Sequence, residues 1–243
     1  MILLFAGILF VMMLCVSFLF PYLSHIFNKF TPLEEGELRD KLTALMTAHG
    51  YHVRDIQVMD ASRRTTRSNA YIAGLGKTKT IVLYDTMVAS ATPEEICAVF
   101  SHEMGHGLHH DNLRSQALSL MNMVILALLS WWTVRTAAIY PDFGFPAVNY
   151  GLAVFLLTEV ELPLVNPIMG LIANAFSRRA EYLADEQAVK EGYGEALKSA
   201  LKKLGKENFS NLAPSPLLVK LEYSHPTLSQ RLTAIDRAMA KKG

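Results

Sequence analysis

Residues 92–107 have the sequence TPEEICAVFSHEMGHG, which begins like a helix and ends with two closely spaced histidines. Thr92 is a good N-cap residue, Pro93 suits the first helical position, and Glu95 lies three residues after the cap. A hydroxyl cap followed three residues later by glutamate forms the reciprocal hydrogen bonds of a capping box. The pattern therefore predicts a helix that starts near Pro93 and carries both histidines.

The two histidines have the spacing of a metal site. His102 and His106 are four residues apart, so on a helix their imidazoles lie one above the other and can bind one metal ion. Glu103 lies beside them, where it can accept a proton from a metal-bound water. Gly105 and Gly107 each cost roughly 1 kcal/mol inside a helix, which indicates close packing there. The alternative is a helix with incidental surface histidines.

A tetrahedral zinc site needs a third protein ligand and an open position for water. His109, His110 and Asp111 follow on the same helix, but one straight helix can hardly place three ligands around one ion. We therefore expect His109 and His110 to be solvated or to support the ligands. Glu181 and Asp185, one turn apart in SRRAEYLADEQAV, are the better source, with the glutamate as ligand and the aspartate hydrogen-bonded to an imidazole. An ordinary solvated acidic face is the other interpretation of this pair.

The composition points to a membrane and away from nucleic acid. Hydrophobic residues make up 51% of the 243 residues and charged ones 19%, and the mean hydropathy is +0.23. Such a composition excludes a disordered chain. The 23 Lys and Arg nearly balance the 22 Asp and Glu, so the basic footprint of a nucleic-acid-binding protein is missing and no such partner is expected.

Three long apolar stretches carry the hydropathy, at residues 1–24, 115–134 and 150–176. Each is long enough to cross about 30 Å of hydrocarbon as a helix, so we predict three transmembrane helices in a lipid bilayer. Burial in a large soluble core is the alternative, although uncharged runs of this length are rare there. The first stretch contains no Lys or Arg and no small-residue cleavage site, which favours a retained anchor over a signal peptide.

The third stretch differs from the others because it contains carboxylates and prolines. Pro163 and Pro167 predict a bend. Glu159 and Glu161 are costly in hydrocarbon and normally face a polar interior, so they would line a wet cavity or pair between subunits. The alternative is a shifted span boundary that brings both to the interface.

The basic residues predict which side of the membrane the other segments occupy. Of the 23 Lys and Arg, all except Arg135 lie in residues 25–114 and 177–243. The positive-inside rule therefore places both segments in the cytosol and the loop at 135–149 on the other side. The two cysteines lie in the first stretch and in the histidine helix, so they imply no disulfide framework, in agreement with a cytosolic location of both segments.

The segment ahead of the histidine helix predicts a small sheet. Residues 32–50 have the periodicity of an amphipathic helix, and residues 52–60, 68–74 and 79–85 have strand patterns. The fold class is therefore a mainly α membrane protein with a small β-sheet, about three transmembrane helices and a cytosolic HExxH metalloprotease domain. The predicted segments are a transmembrane helix at 1–24, a cytosolic part with the sheet and the HExxH helix at 25–114, a transmembrane helix at 115–134, an extracytoplasmic loop at 135–149, a transmembrane helix at 150–176, and a cytosolic part with the third zinc ligand at 177–243.

Several ordered motifs resemble a known family. SHEMGH at 101–106, SRRAEYLAD at 177–185 and SHPTLSQRL at 224–232 resemble the membrane-embedded gluzincins. RSNAYIAGLGKTKTIVLYDT at 67–86 narrows the resemblance to the type I CAAX prenyl protease family, because the related HtpX-type proteases are less similar through NAYIAG and IVLYDT. The resemblance extends from about Phe20 to Ala238, almost the whole chain.

The resemblance implies a role for each residue that matches a motif. His102, His106 and Glu181 would bind one Zn²⁺ per chain, Glu103 would be the general base, and Asp185 would hydrogen-bond a ligating histidine. A His₂Glu set with an open position suits zinc best among divalent ions.

Further roles implied by the resemblance concern the substrate cleft. Asn69 and His225 would line the cleft and bind the substrate backbone or the developing oxyanion, and Arg231 would anchor the C-terminal segment near the site. Apart from the resemblance, a turn histidine before Pro226 and a strand-end cap are the simpler interpretations of His225 and Asn69. In the family, the NAY strand also docks the substrate in an extended form.

The implied activity is hydrolysis of peptide bonds in membrane-associated substrates, including prenylated CAAX tails, on the cytosolic side. An HtpX-like quality-control protease and a non-catalytic scaffold stabilised by zinc are the alternatives. Members of the family carry further N-terminal spans that close a chamber inside the membrane. Three spans alone cannot close such a chamber, so we expect a homodimer, a site open laterally to lipid and cytosol, or a fragment.

Overall fold

The computed structural model describes residues 2–66, 68–74, 76–207 and 214–242. The described strands are β1 (Phe30–Pro32), β2 (His52–Met59), β3 (Ala70–Ala73) and β4 (Thr78–Tyr84). The described helices are α1 (Ile2–Phe27), α2 (Glu37–Ala48), α3 (Asp85–Ser90), α4 (Pro93–Leu108), α5 (Asp111–Arg135), α6 (Ile139–Asp142), α7 (Tyr150–Leu156), α8 (Leu162–Lys190), α9 (Gly194–Glu207), α10 (Pro216–Glu222) and α11 (Leu228–Lys242). The prediction of a mainly helical chain with a small sheet is confirmed.

The sheet has the strand order β1-β2-β4-β3. β2 and β4 are parallel, and each outer strand is antiparallel to its neighbour. The sequence patterns predict β2, β3 and β4 but not β1, because three residues are too few to show alternation. β3 lies at one edge of the sheet, where it pairs with β4 from Ala70–Leu83 to Ala73–Thr80.

The largest buried core lies between the sheet and the helices α2 and α4. Strand residues that alternate toward this face are fully buried, and they meet the apolar faces of both helices. The largest members of the cluster are Leu42, Met46, Ile56, Ile81, Leu83, Phe100 and Met104. Burial of these side chains fixes α4, the helix that carries the HExxH motif, against the sheet.

The start of α4 has the capping box that its sequence predicts. The Thr92 side chain accepts a hydrogen bond from the Glu95 backbone N–H, and the Glu95 carboxylate accepts one from the Thr92 backbone N–H. Glu95 is buried and also accepts hydrogen bonds from Ser199 and Lys203 of α9. The cap therefore also links α4 to a helix more than 100 residues further along the chain.

Two helices of the described chain are long and apolar enough to cross a membrane. They are Asp111–Arg135 and the continuous helical segment Tyr150–Lys190. Few residues of either helix are buried, and large apolar side chains such as Trp132 and Leu164 are exposed. Within α1, the apolar stretch found among the described residues is the shorter Gly7–Val16. Three spans therefore remain a prediction, and two candidates are found.

The third predicted span and the helix that carries Glu181 form one continuous helical segment, Tyr150–Lys190. A π-helical turn at Leu157–Glu161 joins α7 to α8 just before Pro163, whose ring nitrogen has no hydrogen to donate to the preceding turn. Glu161 is buried and accepts hydrogen bonds from the hydroxyls of Thr133 and Ser130 on α5. Glu159 is exposed. The two carboxylates therefore have different environments rather than one shared role.

Candidate active site

The site forms where α4 crosses α8. His102 and His106 come from α4 and Glu181 from α8, and one ligand atom of each lies within 4.8 Å of the others. The Nε2 atoms of the two histidines are 3.2 Å apart, and they lie 3.7 and 3.5 Å from the Glu181 carboxylate oxygens. Ligands held tetrahedrally at 2.0–2.1 Å from zinc would be roughly 3.3 Å apart. The spacing and the donor types therefore fit a zinc ion.

The helix crossing is close because α4 carries a glycine there. A Cβ built on Gly105 would lie 2.8 Å from the Ala184 Cα and 3.1 Å from the Gln187 Cβ. Real Cβ atoms do not approach backbone atoms so closely, so only glycine allows the two helices this separation. The crossing brings His106 and Glu181, which are 75 positions apart in the sequence, into one site.

Each histidine is held from behind by an aspartate. The Nδ1 atom of His106 is hydrogen-bonded to Asp111 Oδ2 at 2.9 Å. The Nδ1 atom of His102 lies 3.0 Å from Asp185 Oδ1 and also 3.3 Å from Arg231 Nη2, which itself donates to Asp185. A carboxylate that accepts the Nδ1 hydrogen leaves the Nε2 lone pair free for a metal. Asp185 therefore lies where the sequence analysis expects a supporting residue.

Asp111 is the supporting residue that the spacing argument does not single out. It begins α5, five residues after His106, and it returns to that histidine because His110 adopts a left-handed conformation with φ of 56°. His110 is exposed, and the Nε2 atom of His109 is buried without a hydrogen-bond partner among the described residues. In the sequence, the available signal for this role of Asp111 is its position directly after the predicted end of the histidine helix.

Arg231 of α11 joins the two acidic residues of α8. Its Nε and Nη2 atoms donate hydrogen bonds to the Asp185 carboxylate at 2.9 and 2.5 Å. Its Nη1 atom lies 3.0 Å from Glu181 Oε2. Arg231 is mostly buried, so these charge-assisted contacts are poorly screened. The arginine thereby anchors the C-terminal helix to the site.

The site attracts positive charge. Burial acts to lower the pKa of the His106 imidazolium, but hydrogen bonds to Glu181 and Asp111 outweigh burial and raise that pKa to about 9. The charge of Glu103 acts in the same direction. A pocket that stabilises a proton so strongly on an imidazole is also a suitable environment for a metal cation.

His225 and Asn69 share a second cavity beside the candidate ligands. It has a volume of about 820 Å³, and Tyr84 and Arg231 also line it. The Nε2 atom of His225 lies 3.4 Å from Glu181 Oε1. Asn69 precedes β3, and its side-chain oxygen accepts a hydrogen bond from the Ala70 N–H. The half-buried Glu103 is next to the candidate ligand His102 on α4.

A larger cavity of about 880 Å³ begins at His106 and Asp111 and continues as a groove between α5 and α8. We call it the α5–α8 groove. Its walls combine polar residues such as Ser115 with apolar ones such as Phe176, and Arg179 also lines it. The candidate metal site is therefore open toward the two helical segments that are long and apolar enough to cross a membrane.

The chain matches characterised proteins over most of its length. Residues 32–239 match peptidase family M48. The CAAX prenyl protease 1 homolog of Arabidopsis thaliana is 39% identical over 237 residues, which are 94% of this chain and 54% of that protein. The CAAX prenyl protease 1 of Saccharomyces cerevisiae is 35% identical over 96% of this chain and 55% of that protein. The chain thus spans about half the length of these curated relatives.

A solved structure has the same fold. The crystal structure of S. mikatae Ste24p aligns with a TM-score of 0.85 at 33% identity, over 97% of this chain and 58% of that one. The alignment leaves only a small part of this chain unmatched.

Proposed function

Because the chain belongs to peptidase family M48, we propose that it is a membrane-bound zinc metalloendopeptidase of the CAAX prenyl protease type. The observation that carries this proposal is the convergence of His102, His106 and Glu181 within 4.8 Å, with an aspartate behind each histidine. Relatives named as CAAX prenyl proteases support the same activity.

His102, His106 and Glu181 would hold the zinc ion. When bound, zinc supplies a Lewis acid that polarises the scissile carbonyl and lowers the pKa of water. Asp185 and Asp111 keep the two imidazoles oriented, and Arg231 offsets the negative charge of the carboxylates. The donor set of two histidines and one glutamate, at nearly tetrahedral spacing, supports zinc over Mg²⁺ or Ca²⁺, which prefer all-oxygen sites.

The protein's own groups would carry the proton and stabilise charge. Glu103 takes a proton from the attacking water and gives it to the leaving amine. His225, at 3.4 Å from the ligand Glu181, is placed to donate a hydrogen bond to the carbonyl oxygen as negative charge develops there. Asn69 lines the same cavity and would contact the substrate backbone beside β3.

The substrate would bind as an additional strand. β3 is at the edge of the sheet, and an extended peptide can pair with the backbone of an edge strand. The names of the relatives support a prenylated CAAX tail as the peptide. Three spans, at 1–24, 115–134 and 150–176, would then hold segments 25–114 and 177–243 on the cytosolic side, as the distribution of Lys and Arg supports.

A quenched fluorescent peptide tests the activity on detergent-solubilised protein. We expect Glu103→Gln to lower kcat by about 10²–10⁴-fold while the protein still binds one zinc per chain. Glu186→Gln is the matched control, because Glu186 is exposed on α8 and pairs with Lys190 away from the ligands. The control should cleave like wild type.

Equal cleavage by wild type and Glu103→Gln would overturn the assignment of the base. Zinc bound without any cleavage of prenylated or unprenylated peptides would favour the scaffold alternative. Cleavage of unfolded, unprenylated substrates with no preference for a prenylated tail would favour the HtpX-like alternative. The mass of the active species in detergent separates a monomer from a homodimer.

A further inference from the structure

The α5–α8 groove extends the candidate site along both membrane-type helices. It begins at His106 and extends to Asn122 and Asn166, where the Asn122 side chain donates a hydrogen bond to Asn166 at 3.4 Å. From Ala180 to Asn166 the α8 wall spans about 21 Å at a rise of 1.5 Å per residue. The groove is therefore long enough for several residues of extended peptide.

The walls of the α5–α8 groove are chemically mixed. Polar side chains recur on one face of α5, while α8 contributes small residues and a few large apolar ones. The polar group comprises Ser115, Ser119, Asn122, Asn166 and Ser177, and the apolar group comprises Leu118, Met169, Phe176 and Leu183. Such a surface can hydrogen-bond a peptide backbone and also accept apolar side chains.

Two arginines give this groove an excess of positive charge. Arg114 and Arg179 both line it, and Asp111 is the only carboxylate among its described lining residues. One Asp111 oxygen is occupied by His106, and the other lies 3.6 Å from Arg114. Arg179 is exposed and has no ion-pair or hydrogen-bond partner in the described ranges.

The neighbouring Arg178 has a different role from Arg179. Arg178 donates hydrogen bonds to the backbone carbonyls of Val219 and Tyr223, so it serves the fold by holding α10. Arg179, one residue later, makes no such contact with any residue that the structure describes, and it lines the groove instead. An unpaired guanidinium with five hydrogen-bond donors is suited to bind a carboxylate in a bidentate way.

The position of Arg179 limits how far an anion bound to it can lie from the candidate metal site. Arg179 and Glu181 are two residues apart on α8, so they lie at nearly the same height and about 200° apart around the helix. The separation of their side chains is therefore close to a helix diameter of about 10–12 Å. An extended peptide covers that distance in about three residues. An anion bound by Arg179 is thus only a few residues from the candidate metal.

We infer that Arg114 and Arg179 bind the free C-terminal carboxylate of the peptide substrate, at the end of the α5–α8 groove nearest the candidate metal site. The inference rests on the proposed function. It adds two specificity-determining residues that contact the end of the substrate rather than the reacting bond.

A matched pair of peptides tests the inference by binding. The two peptides share one apolar C-terminal sequence, and one ends in a free carboxylate and the other in an amide. Dissociation constants are measured by fluorescence anisotropy on zinc-loaded Glu103→Gln protein in nanodiscs of neutral phosphatidylcholine. We expect the acid to bind at least tenfold more tightly than the amide.

Substitutions of the arginines then locate the preference. Arg179→Gln and Arg114→Gln, each combined with Glu103→Gln, should reduce the acid-to-amide ratio to less than threefold without weakening the amide peptide. Arg237→Gln is the control, because Arg237 is exposed on α11 and lies outside this groove. It should keep the full ratio. Zinc content, measured on every variant, checks that the fold is intact.

The outcomes separate this inference from the proposed function. Equal binding of acid and amide, or a ratio that survives loss of both arginines, overturns the carboxylate site even if wild type hydrolyses peptides. A tenfold ratio that depends on the arginines supports the site even if wild type hydrolyses neither peptide. Equal binding together with a loss of anionic-lipid binding in Arg179→Gln would instead identify the arginines as contacts to lipid phosphates.

Discussion

Gly105 and Ala184 pack so closely that a Cβ on Gly105 would lie 2.8 Å from the Ala184 Cα. The contact is where α4, which carries both candidate histidine ligands, crosses α8, which carries Glu181. The distance between the ligand groups therefore depends on the lack of a side chain at Gly105. A small change of volume at this point should affect stability and metal binding together.

Gly105→Ala should lower the free energy of unfolding by about 1–3 kcal/mol, because the added methyl forces the two helices apart. Zinc affinity should fall as well, since His102 and His106 move relative to Glu181. Gly107→Ala is the matched control, because no described heavy atom lies within 4 Å of its added Cβ. Thermal unfolding and zinc titration measure both effects, and equal behaviour of the two variants would contradict the packing argument.

Asp111→Asn should weaken zinc binding by about 10–100-fold, because His106 loses the carboxylate that orients its ring. The fold should remain, since the amide has the shape of the carboxylate. Competition with a chromogenic chelator gives the affinity, and Asp142→Asn, an exposed substitution on α6, is the control. Unchanged affinity in Asp111→Asn would show that the hydrogen bond to His106 is unimportant.

Arg231→Gln should destabilise the protein by about 3–5 kcal/mol, because it leaves the buried Asp185 and Glu181 carboxylates without their cation. Denaturant unfolding of the detergent-solubilised protein measures the loss. Arg237→Gln removes an exposed arginine from the same helix and should change stability by less than about 0.5 kcal/mol. Comparable losses in both variants would argue against a buried charge network.

Glu95 should make stability depend on acid pH. Burial acts to raise its pKa, but hydrogen bonds from Lys203 and Ser199 outweigh burial and hold the pKa below its ordinary value. A carboxyl with a depressed folded-state pKa stabilises the protein above its unfolded-state pKa, and this contribution is lost as the pH falls through the folded-state pKa. Glu95→Gln should therefore cost about 1–3 kcal/mol at pH 7 and much less at low pH.

The measurement for Glu95 is unfolding at a series of pH values from 7 downward. Glu186→Gln serves as the control, because Glu186 is exposed on α8. The difference between wild type and Glu95→Gln should shrink on acidification, whereas the control should show a small and constant difference. A difference for Glu95→Gln that does not vary with pH would contradict the linkage argument.

Glu161→Ala and Glu159→Ala should differ in their effect on stability, although the two residues are only two positions apart. Loss of the Glu161 carboxylate leaves the Thr133 and Ser130 hydroxyls without their acceptor and should cost about 1–3 kcal/mol. Glu159 is exposed, so its substitution should change stability by less than about 0.5 kcal/mol. Equal midpoints of thermal unfolding would mean that the α5 contact adds little.

Local sequence was enough to predict several elements. The capping box at Thr92 and Glu95 and the four-residue spacing of the histidines depend on neighbours within one or two turns, so both are visible in the sequence. The pairing of Glu181 with Asp185 on one helix face is equally local. The supporting contact of Asp185 with His102 follows once the two helices meet.

Other features depend on how distant segments pack. Asp111 reaches His106 only because His110 turns the chain in a left-handed conformation, and spacing within one helix does not predict such a return. The difference between Glu159 and Glu161 arises from the hydroxyls of α5, which lie almost 30 residues earlier. The sequence shows two carboxylates there but not which one is covered.

The sequence therefore specified the helix that bears the histidines, the small sheet, the apolar helices and the types of ligand, because periodicity, capping and side-chain chemistry act over a few residues. The tertiary fold specified how those parts meet, namely the close crossing at Gly105, the bridge from Arg231 and the α5–α8 groove that Arg179 lines. Such contacts join residues that are far apart in the chain, and their geometry is fixed only when the core excludes water and the helices pack.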